Sequence, residues 1–186
     1  MVDPKDCLFC RIVQGEIPSK KVYEDSGALA FLDINPRNPG HTLVIPKRHA
    51  ETIFDLPEAE AARLFPAVKK VAAMVKSGMQ AQGISICQNN GSAAGQVVGH
   101  LYVHVIPRFL SEGPPALENM LPIKKMDEKA LDKIAASIKG APATGARLEE
   151  PPRAAEKPAA PAEERRQKPA SDDEESGDFE EIDFNF

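Results

Sequence analysis

One run of the chain alternates polar and apolar side chains and reads His100-Leu101-Tyr102-Val103-His104-Val105-Ile106-Pro107-Arg108. Alternate side chains of a β-strand lie on one face, so the two histidines and the tyrosine are expected to form a row about 6.6 Å apart. The apolar residues between them would pack against a core. The sequence therefore predicts a half-buried strand, within residues 97–106, that carries polar chemistry on one face.

Further elements are predicted on both sides of this strand. β-prone runs occupy residues 21–24, 28–32, 42–45 and 84–88, and helical patterns occupy residues 7–14, 58–76 and 126–139. Asp25-Ser26-Gly27 separates the first two runs and predicts a hairpin. In the long helix, Pro66 must produce a kink or lie near the start. Most connections between strands are too short for a crossover helix, which predicts an α+β fold with a mainly antiparallel sheet.

The 186 residues allow one domain with an appendage. From residue 141 onward the chain is rich in Pro, Ala, Glu, Lys and Arg and lacks hydrophobic periodicity, so we expect a domain over residues 1–140 and a disordered acidic tail over 141–186. Within the tail, residues 171–186 place eight carboxylates around Phe179, Ile182, Phe184 and Phe186. This end is either a solubilising segment or a short motif that recruits a protein partner.

The charge and hydropathy of the chain indicate which classes of partner and which cellular compartment to expect. The tail carries a net charge of −7 within a total of −5, which leaves +2 on residues 1–140. So small a surplus does not favour binding to duplex nucleic acid, which requires clustered Lys and Arg. No apolar run approaches 18 residues, and the N-terminal residues lack the apolar region of a signal peptide. We expect a cytoplasmic protein with no membrane partner.

The three cysteines are not an even set for disulfide pairing. Since reducing cytosol disfavours disulfides, Cys7 and Cys10 are interpreted as a metal or redox pair. A Cys-x-x-Cys pair alone fits either chemistry. Cys87 lies apart from them, in the predicted strand 84–88, and is expected to be an inert core residue.

A loop with glycine and amide side chains precedes the histidine-containing strand and reads Asn89-Asn90-Gly91-Ser92-Ala93-Ala94-Gly95. Glycine allows the backbone to approach a ligand closely, and exposed N–H groups bind phosphate. An ordinary long hairpin is the alternative explanation. The adjacent histidine-containing strand favours the phosphate-binding interpretation.

Together these segments resemble the histidine triad (HIT) family, whose signature is three histidines alternating with apolar residues. The resemblance rests on Asn89-Asn90-Gly91, on Gly95-Gln96-Val97-Val98-Gly99 followed by residues 100–108, on Cys7-Leu8-Phe9-Cys10, on Gly15-Glu16-Ile17-Pro18, on Phe31-Leu32-Asp33-Ile34-Asn35-Pro36 and on Gly40-His41-Thr42-Leu43-Val44-Ile45-Pro46-Lys47-Arg48-His49. It covers about residues 5–110 and is strongest to the Hint-like and bacterial or archaeal branch.

The resemblance implies a five-stranded HIT fold, a homodimer whose sheets join, and a purine nucleotide as ligand. Such proteins act at the α-phosphate of dinucleoside polyphosphates or nucleoside phosphoramidates through a nucleotidyl-histidine intermediate. When the family's site residues are carried over by position, the base pocket would comprise Phe9, Ile17, Phe31 and Ile34. The phosphates would be contacted by Asn89, Gly95 and Gln96. Asp33 would bind the ribose, although its local sequence alone favours a turn-capping residue over a ribose ligand. His41 and His104 would support catalysis.

At the central position of the triad this chain has Tyr102. A phenol, with an ordinary pKa of about 10, is protonated at neutral pH, whereas imidazole, at about 6.5, is a free nucleophile. The resemblance therefore implies a nucleotide-binding protein whose hydrolysis is weak or lost. Activity by another route, with Tyr102 activated by a neighbouring base, is the alternative. A different class of function is a zinc-braced dimeric scaffold whose acidic tail recruits a partner.

The resemblance also selects between the two interpretations of the cysteine pair. In this branch of the family, structural zinc is held by two cysteines and two histidines. The corresponding residues here are Cys7, Cys10, His49 and His100. The resemblance thus implies a closed tetrahedral zinc site rather than a redox pair.

Overall fold

The structure is a computed structural model that describes residues 3–112 and 125–141. Its helices are α1 (Leu8–Val13), α2 (Glu58–Gly78) and α3 (Glu128–Gly140), and its strands are β1 (Lys21–Glu24), β2 (Ala28–Leu32), β3 (Thr42–Pro46), β4 (Gly83–Cys87) and β5 (Val103–Arg108). Short 3₁₀ turns cover Ser92–Ala94 and Leu110–Glu112. Apart from residue 141, the predicted acidic tail lies outside the described residues.

The five strands form one antiparallel sheet in the order β1-β2-β3-β5-β4. The predicted α+β class with a five-stranded antiparallel sheet is therefore confirmed. Asp25 closes the first hairpin because its Oδ1 accepts the backbone N–H groups of Gly27 and Ala28 at 2.8 and 2.7 Å. Such an Asx turn satisfies backbone donors that the ladder cannot pair.

Apolar clusters cover both faces of the sheet. On one face, α2 packs through Leu64, Val68 and Val71 against the sheet. On the other face, α1 packs against Leu29, Phe31, Leu43, Ile45 and Tyr102. Strands buried on both faces are continuously apolar, which explains the runs in β2 and β3.

The strand predicted over residues 97–106 is wrong in its first half, since β5 begins at Val103. The backbone before it makes other hydrogen bonds: Leu101 N–H donates to Ala50 O at 2.6 Å, and the Gln96 side chain donates to Val98 O at 3.0 Å. The predicted alternation nevertheless continues, because Leu101 faces α2 and Tyr102 faces α1. Side-chain alternation thus extends beyond the ladder.

Pro66 lies inside α2, away from its start, which leaves the kink as the remaining one of the two predicted alternatives. Two other expectations are corrected. Cys87 is exposed, not a core residue, because it ends the edge strand β4. The last helix begins at Glu128, where Asp127 caps it by accepting the N–H of Ala130 at 2.7 Å. Among the described residues, no helix combines the length and the apolar character needed to span a bilayer.

Candidate functional site

Four side chains converge where α1 meets the segments around residues 49 and 100. The ligand atoms of Cys7, Cys10, His49 and His100 all lie within 4.8 Å of one another. His100 Nδ1 is 3.4 Å from Cys7 Sγ and 3.6 Å from Cys10 Sγ, and His49 Nδ1 is 3.3 Å from Cys10 Sγ. The four residues selected as a zinc site therefore form one cluster.

The surroundings of His100 fix which of its nitrogens faces this cluster. Its Nε2 lies 3.0 Å from the carbonyl oxygen of Pro46, which can only accept, so Nε2 carries the proton. Burial lowers the pKa of His100 to about 4, which keeps the ring neutral. Nδ1 therefore presents a lone pair to the two sulfurs, as a metal ligand oriented by a carbonyl does.

The cysteine thiols also fit a cation. Burial, followed by the neighbouring Cys7, raises the pKa of Cys10 to about 12. Two thiolates at this position need a compensating positive charge, and a Cys2His2 set suits tetrahedral Zn²⁺. The residues thus fit the implied zinc. The other ring nitrogen of His49, Nε2, is buried without a hydrogen-bond partner in the described part of the chain.

A single aromatic ring connects this cluster with Tyr102. Phe9, between the two cysteines, packs edge to face against His100, Tyr102 and Phe31, with centroid distances of 5.9, 5.5 and 5.5 Å. Tyr102 is 6% exposed, and its Oη accepts the backbone N–H of Val97 at 3.2 Å. The segment that carries the cysteines, α1 and the residue before it, therefore also buries the ring of Tyr102.

His41, His104 and Asp33 form a second polar cluster beside Tyr102. His41 Nε2 lies 2.9 Å from His104 Nδ1, and on the opposite side of the ring His41 Nδ1 lies 3.3 Å from Asp33 Oδ2. These three residues also have the composition of a metal site. Because Asp33 and His104 contact opposite nitrogens of His41, however, the geometry suits a proton relay better than chelation by one ion.

Burial dominates the acid–base behaviour of this cluster. It lowers the pKa of His41, while the Asp33 carboxylate opposes the effect. The pKa of His104 is lowered by burial and then by the neighbouring His41, again against Asp33. Both rings are therefore neutral at neutral pH, so one nitrogen of the pair donates and the other accepts.

The predicted phosphate loop is held in shape by Gln96. Its Oε1 accepts the N–H of Gly91 at 2.7 Å, and its Nε2 donates to Glu51 O at 2.7 Å. Gly95 has φ of +88°, a conformation that glycine adopts readily, and a Cβ added there would lie 3.8 Å from Asn89 Nδ2. The loop thus brings Asn89 and Gly95 together, while the buried Gln96 amide serves the loop itself.

The residues expected to line a base pocket do not form one group. Phe9 and Phe31 are buried in the cluster that contains Tyr102, and Ile17 packs against it. Ile34 is 91% exposed on the following turn. Asp33 Oδ1 accepts the N–H of Asn35 at 2.9 Å, which is the turn-capping role considered from the sequence.

Some polar groups of the site were missed in the sequence. The backbone N–H of Arg37 donates to His41 Nδ1 at 3.2 Å. Asn38 donates its side-chain amide to Pro107 O at 2.8 Å, across to β5. The only sequence signal was the turn-forming character of residues 35–40, which does not specify tertiary partners.

A model of the HIT domain matches residues 14–110, more than half of the chain. The chain belongs to the HIT domain family. The five-stranded sheet and its helices are the HIT fold, as predicted. A histidine triad nucleotide-binding protein of Candida albicans has this fold, with a TM-score of 0.64 at 34% identity, covering 72% of this chain and 94% of that one.

Two relatives extend the comparison beyond the matched domain. A HIT-like protein of Methanocaldococcus jannaschii is 46% identical over 134 residues, which cover 72% of this HIT protein and 99% of the relative. The adenosine 5′-monophosphoramidase hnt1 of Schizosaccharomyces pombe is 40% identical over 139 residues, covering 72% and 98%. At the level of the family, these names support nucleotide-hydrolase-type function.

Proposed function

We propose that this HIT protein binds a purine nucleotide beside Tyr102 and acts slowly at the α-phosphate of nucleoside phosphoramidates or dinucleoside polyphosphates. The observation that carries the proposal is the placement of Tyr102 against His104, with the His41–His104 hydrogen bond behind it. The adenosine 5′-monophosphoramidase of S. pombe and the nucleotide-binding protein of C. albicans support the choice of ligand.

In this proposal, the nucleotide lies across the surface between α1, the turn after β2 and the loop after β4. The base contacts Phe9, Ile17, Phe31 and Ile34; the ribose contacts Asp33; and the phosphates contact the loop of Asn89 and Gly95, which Gln96 holds in shape. Asp33 retains a capping hydrogen bond to the turn through Oδ1. Its other oxygen faces His41, so ribose binding and orientation of His41 are linked.

We attribute slow turnover to the phenol of Tyr102. Attack by its oxygen on the α-phosphate requires loss of the hydroxyl proton, which an imidazole nucleophile does not need. His104 lies against the phenol ring with its Nδ1 facing His41 Nε2, so its other ring nitrogen can donate a proton to the leaving group, while the phenol proton passes to water. The first step would form a bond between the Tyr102 oxygen and phosphorus and break the bond between phosphorus and the leaving group. Water would then hydrolyse the tyrosyl O–P bond and release the nucleotide.

The zinc is structural in this proposal. Cys7, Cys10, His49 and His100 would occupy all four tetrahedral positions, which leaves none for substrate. A bound zinc would fix the N-terminus of α1 and thereby the ring of Phe9, which contacts both His100 and Tyr102. The metal thus supports the nucleotide surface through packing.

We also propose a homodimer whose two sheets join along β4. This strand is an edge of the sheet, and Ile86 on it is 50% exposed. Beside it, a groove of about 230 Å³ between β4 and α2 is lined by Leu56, Leu64 and Phe65. An exposed edge strand with adjacent apolar surface is suited to pairing with a second copy.

The deciding experiment measures binding and turnover on the same preparation. AMP is titrated by calorimetry, and adenosine 5′-phosphoramidate hydrolysis is followed by chromatography. We expect AMP binding at micromolar to millimolar concentration and slow release of AMP from the phosphoramidate. Folded protein that binds no AMP at millimolar concentration would sink the proposal.

A further inference from the structure

The turn that carries His41 is held on the β2 side, where the backbone oxygen of His41 accepts the N–H of Asp33 at 2.9 Å, but the ladder with β5 does not reach it. β3 pairs with β5 only from Thr42, opposite Val105, to Val44, opposite Val103. His41 lies one residue before the first pair, so the ladder does not fix its separation from β5. One contact beyond the ladder restrains that separation further on the β5 side, where the two imidazoles lie at hydrogen-bond distance.

Asn38 makes this contact. Its Nδ2 donates one hydrogen to Pro107 O on β5 at 2.8 Å and the other to Glu112 Oε1 at 2.7 Å. Both partners are oxygens that accept, so the amide orientation follows from chemistry. The backbone carbonyl oxygen of Asn38 accepts the backbone N–H of His41 at 2.9 Å. One residue therefore ties the backbone of His41 to the strand of His104.

Glu112 is in turn held in place for this role. Its Oε2 accepts from Arg108 Nε at 2.8 Å and lies 2.6 Å from Arg108 Nη2. Two guanidinium nitrogens on one carboxylate oxygen hold that oxygen more firmly than a single contact does, and they leave Oε1 to Asn38. Asn38 thus donates to an acceptor fixed at the end of β5.

The shape of the turn also bears on which nitrogen of His41 carries the proton. With the turn closed, the N–H of Arg37 points at His41 Nδ1 at 3.2 Å, which favours the tautomer in which Nδ1 accepts over the one in which Nδ1 donates to Asp33 Oδ2 at 3.3 Å. Nε2 then carries the proton and donates to His104 Nδ1, and His104 keeps its own proton on Nε2. When His41 becomes charged, it binds a second proton at Nδ1. Asp33 Oδ2, 3.3 Å from this nitrogen, then accepts a hydrogen bond from it.

We propose that Asn38 is a positioning residue for the His41–His104 pair: by bridging the turn to Pro107 and Glu112, it holds His41 in the tautomer that donates to His104. Its role in catalysis rests on the proposed function. Its effect on the tautomer does not, because that effect belongs to the ligand-free protein.

The first test is nuclear magnetic resonance of histidine side chains in the full chain as purified. Long-range ¹H–¹⁵N spectra at pH 7.5 report the tautomer of each of the four histidines. We expect separate nitrogen signals for His41 in the natural protein, with the proton on Nε2. In Asn38→Ala these two signals should move towards each other, while those of His49 and His100 stay in place.

Two variants keep the test decisive. Asn38→Asp has nearly the same size but lacks both donors, so it should reproduce the tautomer change if Asn38→Ala fails to fold. Glu112→Gln retains an acceptor oxygen and should leave the His41 signals near their natural positions. Unchanged His41 and His104 signals in either folded Asn38 variant would overturn the proposal.

A second measurement separates this inference from the proposed function. If the natural protein hydrolyses adenosine 5′-phosphoramidate, Asn38→Ala should lower kcat by about tenfold or more with little change in KM, because proton transfer is affected rather than binding. An unchanged kcat alongside an altered tautomer would overturn the catalytic role. Absence of turnover in the natural protein would count against the proposed function, while the tautomer result would still decide the role of Asn38.

Discussion

The rings of Tyr102 and His104 meet edge to face, with centroids 5.0 Å apart and an interplanar angle of 82°. Tyr102 is buried, and its hydroxyl oxygen accepts a hydrogen bond from the backbone of Val97. The phenol is thus held between the ring of Phe9 and the His41–His104 pair. Its chemistry can be tested by single substitutions.

Tyr102→His should raise the hydrolysis of adenosine 5′-phosphoramidate by about a hundredfold or more, because an unprotonated imidazole replaces a protonated phenol beside His104. Steady-state kinetics measure the change, and AMP affinity should hold or improve. Tyr102→Phe is the matched control, with nucleotide binding retained. Rapid hydrolysis by the natural protein that Phe abolishes would instead make Tyr102 the working nucleophile or acid.

Cys10→Ser should reduce bound zinc from about one ion per chain to a small fraction and lower Tm by about 10 °C or more, because metal binding contributes directly to folding. Elemental analysis and thermal unfolding give the two values. Cys87→Ser, at the cysteine outside the proposed zinc site, should leave the zinc content unchanged. Natural protein that is metal-free as purified would contradict the assignment.

The pKa values of His41 and His104 should both lie below 6.5, since burial disfavours the charged ring. In the unfolded chain both return to about 6.5 and bind protons more readily, so stability is lost as pH falls below that value. Asp33→Asn should lower both pKa values further, because it removes a charge that raises them while preserving a capping oxygen. Histidine titration by NMR measures this, and a rise in either pKa in the variant would contradict it.

Ile86→Lys should raise the dissociation constant of the dimer by about tenfold or more, because a charge would enter the proposed interface on both copies. Sedimentation equilibrium gives the constant. Ile134→Lys on α3, where the natural side chain is 41% exposed, is the matched control. Equal dissociation constants for the two variants would place the interface elsewhere, and a monomeric natural protein would refute the dimer.

Local signals explain why some elements were predicted to the residue and others were not. β1 and β2 match because Asp25 and Gly27 form a turn that is encoded locally. The start of β5 was misplaced because Leu101 pairs with Ala50, which is distant in sequence. Cys87 was misplaced because an apolar strand looks the same at the centre of a sheet as at its edge.

The residues of the site also differ in how far the sequence predicts them. The cysteine and histidine cluster was identified through family resemblance, since a Cys-x-x-Cys pair alone does not indicate which histidines are near. The bridge from Asn38 to Pro107 depends on how far the turn reaches towards β5. No local pattern contains that information.

The packing of Phe9 against Tyr102 also gives this protein an optical reporter. The chain contains two tyrosines and no tryptophan, so its ultraviolet emission comes from Tyr23 and Tyr102. Tyr23 donates its hydroxyl hydrogen to Asp25 at 2.7 Å and packs on the α2 side of the sheet, opposite the face that carries Cys7 and Cys10. In Tyr23→Phe, the remaining emission comes from Tyr102, so a chelator that loosens α1 should change its intensity before the sheet unfolds.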